Sequence, residues 1–414
     1  MTDVPGTTPH RSGGPLSHLT VLDLTQHLAG PFATQILGDL GARIIKVEPP
    51  CGDPTRQIGP HFVDGDSAYF LSTNRNKESI CLDLKMPAAH EVLVELVRHA
   101  DVVVENFRPG TMDRLNLGYE ALAAINPRVV LCSISGFGQD GPWRDRPAFD
   151  MVVQALSGGM SLTGESDGVP VRSGLPIGDL CAGMYGVIGI LAALSRAESE
   201  GIGSHVDVAM LDAQVSMLSY VGAYFLVGGH VAGLQGRAHM SIPTYRAFTC
   251  KDDRDIVVTA NTPRMWSELC AALDVPELVN DERFADNEVR RSNRRDLDAL
   301  LDAAAVKIGS PELLDRLNKR GVPCAPINRV DEALSSPQVR HRDMVVEASG
   351  PGTPFRTIGN PVRVSPGGTD YVRPPHLGQH TAQVLGTLGL DDEAIRKLHE
   401  EGGVRSFSSD GTTA

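Results

Sequence analysis

The chain has 414 residues, 41% of them hydrophobic and 21% charged, with a formal net charge of −13. That length and composition predict a soluble globular protein of two domains with a large core, and the negative charge argues against nucleic acid and anionic membranes as partners. An anionic small ligand would need a local basic pocket.

The seven cysteines are scattered without CxxC or Cys/His spacing. This argues against a cysteine-held metal and predicts reduced, mostly buried thiols in a cytoplasmic protein. Residues 1–17 are polar, with Pro, Gly, His and Ser and no signal-peptide pattern, so a disordered lead is expected. No apolar run reads as long enough to cross a bilayer, which needs about 20 residues.

Residues 18–25 (HLTVLDLT) have the content of a buried strand. Gly30-Pro31 opens a predicted helix over 32–40, closed by Gly41, and 43–48 (RIIKVE) reads as a second strand. Strand, helix and strand in that order make a βαβ unit and imply a parallel sheet. Strands at 79–84, 101–105 and 129–133, with an amphipathic helix at 88–99, continue the pattern. The predicted class is doubly wound α/β, in which ligands bind beyond the carboxyl ends of the strands.

Gly136-Phe137-Gly138-Gln139-Asp140-Gly141 matches G-x-G-x-x-G, but Pro142, Trp143 and Pro147 follow it. Dinucleotide binding needs a helix to start there, so the remaining reading is a glycine-rich loop lining a site. A short helix at 149–157, turns, a strand at 206–210 and an apolar helix at 211–226 come next. The character changes after Gly228-Gly229. Strands at 245–248 and 255–260 flank a turn, and helices are expected at 263–273, 290–307 and 311–320. Residues 322–329 cross back, 350–375 form a Pro/Gly-rich arm, 391–401 a last helix, and the tail after Gly402 reads as loose.

Within this order one carboxylate stands out. Asp179 follows Gly178 and precedes a nearly unbroken small and apolar run over 180–194. The run reads as a helix buried on most sides, with Asp179 at its mouth. Taken alone, Asp179 would be an N-cap, its oxygen satisfying free backbone N–H groups.

Several stretches together carry a resemblance. They are LAGPFATQILGDLGARIIKVEPPCGD (28–53), NRNKESICLDLK (74–85), ADVVVENFRPGTMDRL (100–115), SISGFGQDGP (133–142), GDLCAGMYGVIGILAAL (178–194) and PPHLGQHTAQVLGTLGL (374–390). The chain resembles the class III CoA-transferases, the superfamily of formyl-CoA transferase, carnitine CoA-transferase and 2-methylacyl-CoA racemase. The resemblance implies a Rossmann-like large domain with a parallel sheet, a smaller α+β domain, and two chains interlocked as a homodimer. The corresponding boundaries are 1–225 for the first part of the large domain, 226–334 for the small domain and 335–414 for the return arm and the rest of the large domain.

By the same resemblance Asp179 is the nucleophile, working through an acyl-aspartyl anhydride and an aspartyl-CoA thioester. The implied partners are an acyl-CoA and a carboxylic acid, with no cofactor beyond coenzyme A as substrate and no metal. CoA contacts carry over to Ala29, Leu82, Lys85, Asn106, Phe107, Arg114 and Met210, with Arg108 beside them.

The family's racemases have a His–Asp pair where this chain has Phe149-Asp150, so no imidazole is available there to remove an α-proton. Asp150 is either a second active-site carboxylate or a helix cap. The glycine run that formyl-CoA transferases carry in the small domain is also missing. In its place, Gly236-Arg237-Ala238-His239 resembles the loop of transferases acting on carnitine and dicarboxylates. Arg237 would then hold a free carboxylate or stand in an exposed loop. Arg237 and His239 complete the substrate candidates.

Overall fold

The computed structural model describes residues 14–350 and 352–407. Most of the expected disordered lead, Pro351 of the arm and the end of the tail lie outside them. The chain divides into two compact units, one of residues 1–159, 173–219 and 338–414, the other of 160–172 and 220–337.

The first unit is built on a seven-stranded sheet. Its strands are β1 (Thr20–Asp23), β2 (Arg43–Glu48), β3 (Lys77–Leu82), β4 (Val102–Glu105), β5 (Val130–Ser135), β6 (Ser204–Ala209) and β7 (Val404–Arg405). The order is β7-β3-β2-β1-β4-β5-β6. All neighbours are parallel except β7, which runs antiparallel to β3. The order of the chain reverses between β1 and β4, and at such a switch point the loops part to leave a crevice.

Helices α1 (Ala29–Asp39) and α4 (Ile177–Glu200) pack with Val21, Ile44, Val104 and Ile134 on one face. Helix α2 (Pro87–Arg98) and the C-terminal helices Thr381–Thr387 and Asp392–Glu400 cover the other. Burial on both faces is why β4 (VVVE) and the start of β5 read as apolar runs. Helices α3 (Asp150–Leu156) and α5 (Met210–Ser216) flank the start of α4.

Several expectations need correction. Helix α4 has 24 residues and is long and apolar enough to span a bilayer by length and composition. It is nevertheless a core helix of the sheet. Gly183 faces the Ala29 carbonyl and Gly186 faces Ile134 and Cys132. It is buried on one face, not most: Met184, Tyr185, Ile188 and Leu191 stay exposed. The helix expected over 211–226 ends at Ser216, and another, Ser219–Gly228, starts at a residue with φ of 47°. The tail after Gly402 is not wholly loose, because β7 pairs with Leu82 and Cys81 at the sheet edge.

In the second unit, Tyr245–Thr249, Asp255–Thr259 and Cys324–Pro326 form an antiparallel sheet with Asp255–Thr259 in the middle. The segment expected to cross back thus supplies the third strand. Helices Pro263–Ala272, Arg294–Ala305 and Ser310–Lys319 bury Trp266, Leu269, Leu301 and Leu313 with Phe248. The helix expected over 290–307 is interrupted at Asn293.

Candidate active site

Helix α4 begins at Ile177, with Pro176 at its cap position and no side-chain cap bond of its own. Asp179 is the third helical residue, so it is not the N-cap that its type suggests. The cap comes from α3. Asp150, the first residue of α3, accepts the Gly178 N–H at 2.8 Å on one oxygen and the Gln154 amide at 2.7 Å on the other. Asp150 therefore caps a helix, but the neighbouring one.

Asp179 is half-buried. Burial first, and the charge of Asp150 second, push its pKa up to about 7. The free N–H groups of the α4 start work the other way, favouring negative charge there. Gly178 is the residue that lets these groups meet. A Cβ on it would stand 2.7 Å from Gln214 Nε2 and 3.0 Å from Asp150 Oδ1. Gln214 Oε1 accepts the Ser157 hydroxyl at 2.6 Å, which turns its amide nitrogen toward Gly178; that nitrogen is buried and has no acceptor among the described residues.

A side chain just after β4 is bonded to the backbone of the loop after β1. Asn106 accepts the Gln26 N–H at 2.9 Å and donates to the Gln26 carbonyl at 2.7 Å. The next residue, His27, has φ of 66° and donates its N–H to Asp53 at 3.3 Å. Its ring meets Phe149 edge-on at 5.9 Å, which brings the loop after β1 to the start of α3. Burial, then the charges of Asp179, Asp53 and Asp150, raise the pKa of Tyr69.

Below the crevice lies a buried ion network. Lys77 pairs with Asp23 at 2.9 Å and Lys46 with Asp53 at 3.0 Å, all four fully buried. Lys46 also donates to the Thr25 carbonyl at 2.7 Å. Arg56 joins Glu48 at 2.7 Å and Asp66 at 2.9 Å. Burial works to raise the pKa of Asp23, but Lys77 and Lys46 outweigh it and hold the carboxyl well below its usual range. The network fixes the loops that carry Gln26, His27 and Ala29.

The expected CoA contacts fall into three kinds of place. Asn106 and Phe107 stand at the switch point, where Glu105 accepts the Phe107 N–H at 2.8 Å. Burial pushes the Glu105 carboxyl up to about 7. Arg108 and Lys85 are exposed shortly after the ends of β4 and β3, and Arg114 is exposed at the end of the short helix Thr111–Arg114. Ala29, Leu82 and Met210 have buried side chains, leaving their backbones to meet a ligand. Phe149 is 68% exposed beside Asp150.

In the second unit Arg237 is already paired, with Asp255 at 2.6 Å. His239 stacks with Tyr220 and Tyr245 at 5.8 and 5.5 Å and accepts the Ser241 N–H on Nδ1 at 3.1 Å. Among the described residues no group of three or more His, Cys, Asp or Glu could hold a metal ion.

Sequence reasoning missed Tyr69, Gln154, Gln214 and the two buried lysines. None lies in a spacing that signals chemistry. The one available hint was charge within strands, Lys46 in RIIKVE and Lys77 at the start of β3, where a buried cation needs a buried partner.

The family model for CoA-transferase family III matches residues 16–381. The human succinyl-CoA:glutarate CoA-transferase is 41% identical over 392 residues, 94% of this chain and 89% of that one. The acetyl-CoA:oxalate CoA-transferase of Acetobacter aceti is 42% identical over 380 residues, 91% of this chain and 96% of that one. A crystal structure of a CaiB/BaiF family protein from Brucella suis superposes with a TM-score of 0.83 at 37% identity, covering 91% of this chain and all of the other.

Proposed function

The chain belongs to CoA-transferase family III and moves CoA between an acyl-CoA and a carboxylic acid; we propose that it does so through Asp179. The carboxylate attacks the thioester carbonyl, giving an acyl-aspartyl anhydride and CoA thiolate. The thiolate attacks the aspartyl carbonyl, forming an aspartyl-CoA thioester and releasing the first acid. The acceptor carboxylate attacks that thioester, giving a second anhydride and thiolate. The thiolate then takes the new acyl group and frees Asp179. Covalent catalysis thus divides one hard transfer into easier steps.

The observation that carries this reading is the surroundings of Asp179: half-buried, at a helix start, beside the fixed Asp150 carboxylate. Burial shields an anhydride from water. The resting group titrates near neutrality, which leaves an ionised nucleophile that is less solvated than an exposed aspartate. Tyr69 supplies a hydroxyl in the same field, and the Gln214 amide faces the backbone behind it. Asn106, Phe107, Arg108, Arg114 and Lys85 receive the CoA.

The activities of these relatives point to dicarboxylic acids as substrates here, among them succinate, glutarate and oxalate. The pairing of Arg237 with Asp255 means that a substrate carboxylate would have to displace Asp255 to use that arginine. The working state is a homodimer in the cytoplasm. Supporting the dimer, Met184, Ile188 and Leu191 on α4 and Met151, Val152 and Leu156 on α3 expose apolar side chains, a surface that monomers rarely leave in water. Five buried thiols suit a reducing compartment.

Succinyl-CoA incubated with a panel of mono- and dicarboxylates tests the substrate reading. A new dicarboxylic acyl-CoA, formed as succinate is released, is expected. Transfer to monocarboxylates alone contradicts the dicarboxylate reading. Exchange of the α-proton without any acceptor acid would favour epimerisation over transfer.

A further inference from the structure

The turns after β4 and β5 lie side by side, because those strands are parallel neighbours. They bring two arginines to one point. Arg144, after β5, is anchored by its Nε, which donates to the Gln139 carbonyl at 2.8 Å. Its Nη2 lies 3.1 Å from where a Cβ on Gly110 would be, and Nη1 of Arg114 lies 3.5 Å from the same place. Gly110 has φ of 79°. The turn therefore needs the left-handed conformation, and glycine also leaves the space above it clear. Arg114 is steadied by donating from Nη2 to Thr111 Oγ1 at 2.8 Å.

These cations share no acid. Among the described residues no carboxylate is within ion-pair distance of Arg114 or of the nearby exposed Arg108. Arg144 meets Asp145 at 3.5 Å, and that carboxylate is 83% exposed. In a chain with a formal charge of −13, two guanidinium groups thus converge without a buried counter-charge. Such an arrangement repels itself until an anion with several oxygens enters. The neighbouring Trp143 packs edge-on against Phe137 at 5.6 Å, which holds the Arg144 turn in shape.

We infer that Arg144 and Arg114 form a clamp, seated over Gly110, for a phosphate at the nucleotide end of CoA. The inference deepens the transferase reading and rests on it, since the CoA substrate brings the phosphate to this turn. Arg144 is not among the contacts expected from the sequence. Two phosphate sources exist on the ligand, the 3′-phosphomonoester and the 5′-diphosphate.

Steady-state kinetics with succinyl-CoA and its 3′-dephospho analogue test the clamp. Arg144→Gln is expected to raise KM for succinyl-CoA roughly 10- to 100-fold, the range of a lost charge-assisted hydrogen bond, with kcat changed far less. Arg144→Lys recovers part of the loss. Arg196→Gln, which removes a surface pair with Glu200 on α4, serves as control and behaves as wild type. If the clamp holds the monoester, Arg144→Gln adds no penalty with the dephospho thioester. If it holds the diphosphate, the penalty is the same with both. Either pattern supports the clamp and names its phosphate. Unchanged KM for both thioesters in Arg144→Gln and Arg114→Gln, at wild-type melting temperature, overturns it. So does a fall in kcat with KM unchanged. Covalent labelling of Asp179 by succinyl-CoA is independent of the clamp, so failure here leaves the nucleophile assignment to its own test.

Discussion

At the scale of the residue, Asp179 combines two demands that oppose each other. A nucleophile must be ionised, yet burial and Asp150 raise its pKa to about 7. The sign of the consequence is fixed. In the unfolded chain the carboxyl ionises near its ordinary value, so between that value and about 7 the folded state binds more protons. Stability contributed by the neutral group is therefore complete at low pH and is lost as pH rises through this window. The cost is at most about 4 kcal/mol, and less because solvent reaches the group. Asp179→Asn should accordingly raise the melting temperature more at pH 8 than at pH 5, and calorimetry at the two values measures this. An equal shift at both would mean that Asp179 is not held neutral.

Activity has the opposite slope. The rate constant kcat/KM for the acyl-CoA should rise with pH to a plateau, with its midpoint near 7. Asp150→Asn keeps an oxygen for the Gly178 N–H while removing the charge, so the midpoint should move to lower pH. A midpoint unmoved by Asp150→Asn would show that Asp150 acts only as a cap.

At the scale of the element, the site depends on loops that the sheet alone does not fix. Lys46 on β2 ties the end of β1, through the Thr25 carbonyl, to Asp53. Breaking a buried pair leaves a charge without a partner, and this costs about 3–5 kcal/mol. Lys46→Met should lower stability by that order in denaturant titration, and should lower activity through the His27 loop. Loss of less than about 1 kcal/mol would mean that Asp53 and Asp23 find other partners.

The elements also show what a sequence can reveal. Strands β1, β4 and β5 were legible because burial on both faces leaves mostly apolar residues in them, and β2 because its Ile44, Ile45 and Val47 stand out between charges. The full length of α4 was not, because its last residues, Arg196 to Glu200, are mostly polar, and Met184, Tyr185, Ile188 and Leu191 leave part of its apolar surface exposed. Strand β7 has two residues, too few for any period to show. The break at Asn293 lies within a pattern that reads as continuous helix.

At the scale of the whole molecule, Asp179 became legible through the series of motifs around it, not through its own neighbours in sequence. Its surroundings stayed hidden for a physical reason. Asp150, whose charge acts on Asp179, and Gln214, which faces Gly178, come from separate segments, and only folding brings them to the start of α4. The apolar faces of α3 and α4 carry the proposal for a dimer. Sedimentation equilibrium is expected to give twice the chain mass. Charges placed on that face, in Ile188→Asp with Leu191→Asp, should give monomers or aggregates with little activity. A fully active wild-type monomer would contradict the dimer.

The central claim is that Asp179 becomes covalently bound during turnover. The direct measurement is to incubate the protein with succinyl-CoA, trap with hydroxylamine or borohydride, digest, and weigh the peptide that contains Asp179. A hydroxamate or an alcohol is expected at Asp179, absent without acyl-CoA and absent in Asp179→Asn. An unmodified Asp179 peptide in a protein that is turning over, or a label on any other residue, would contradict it.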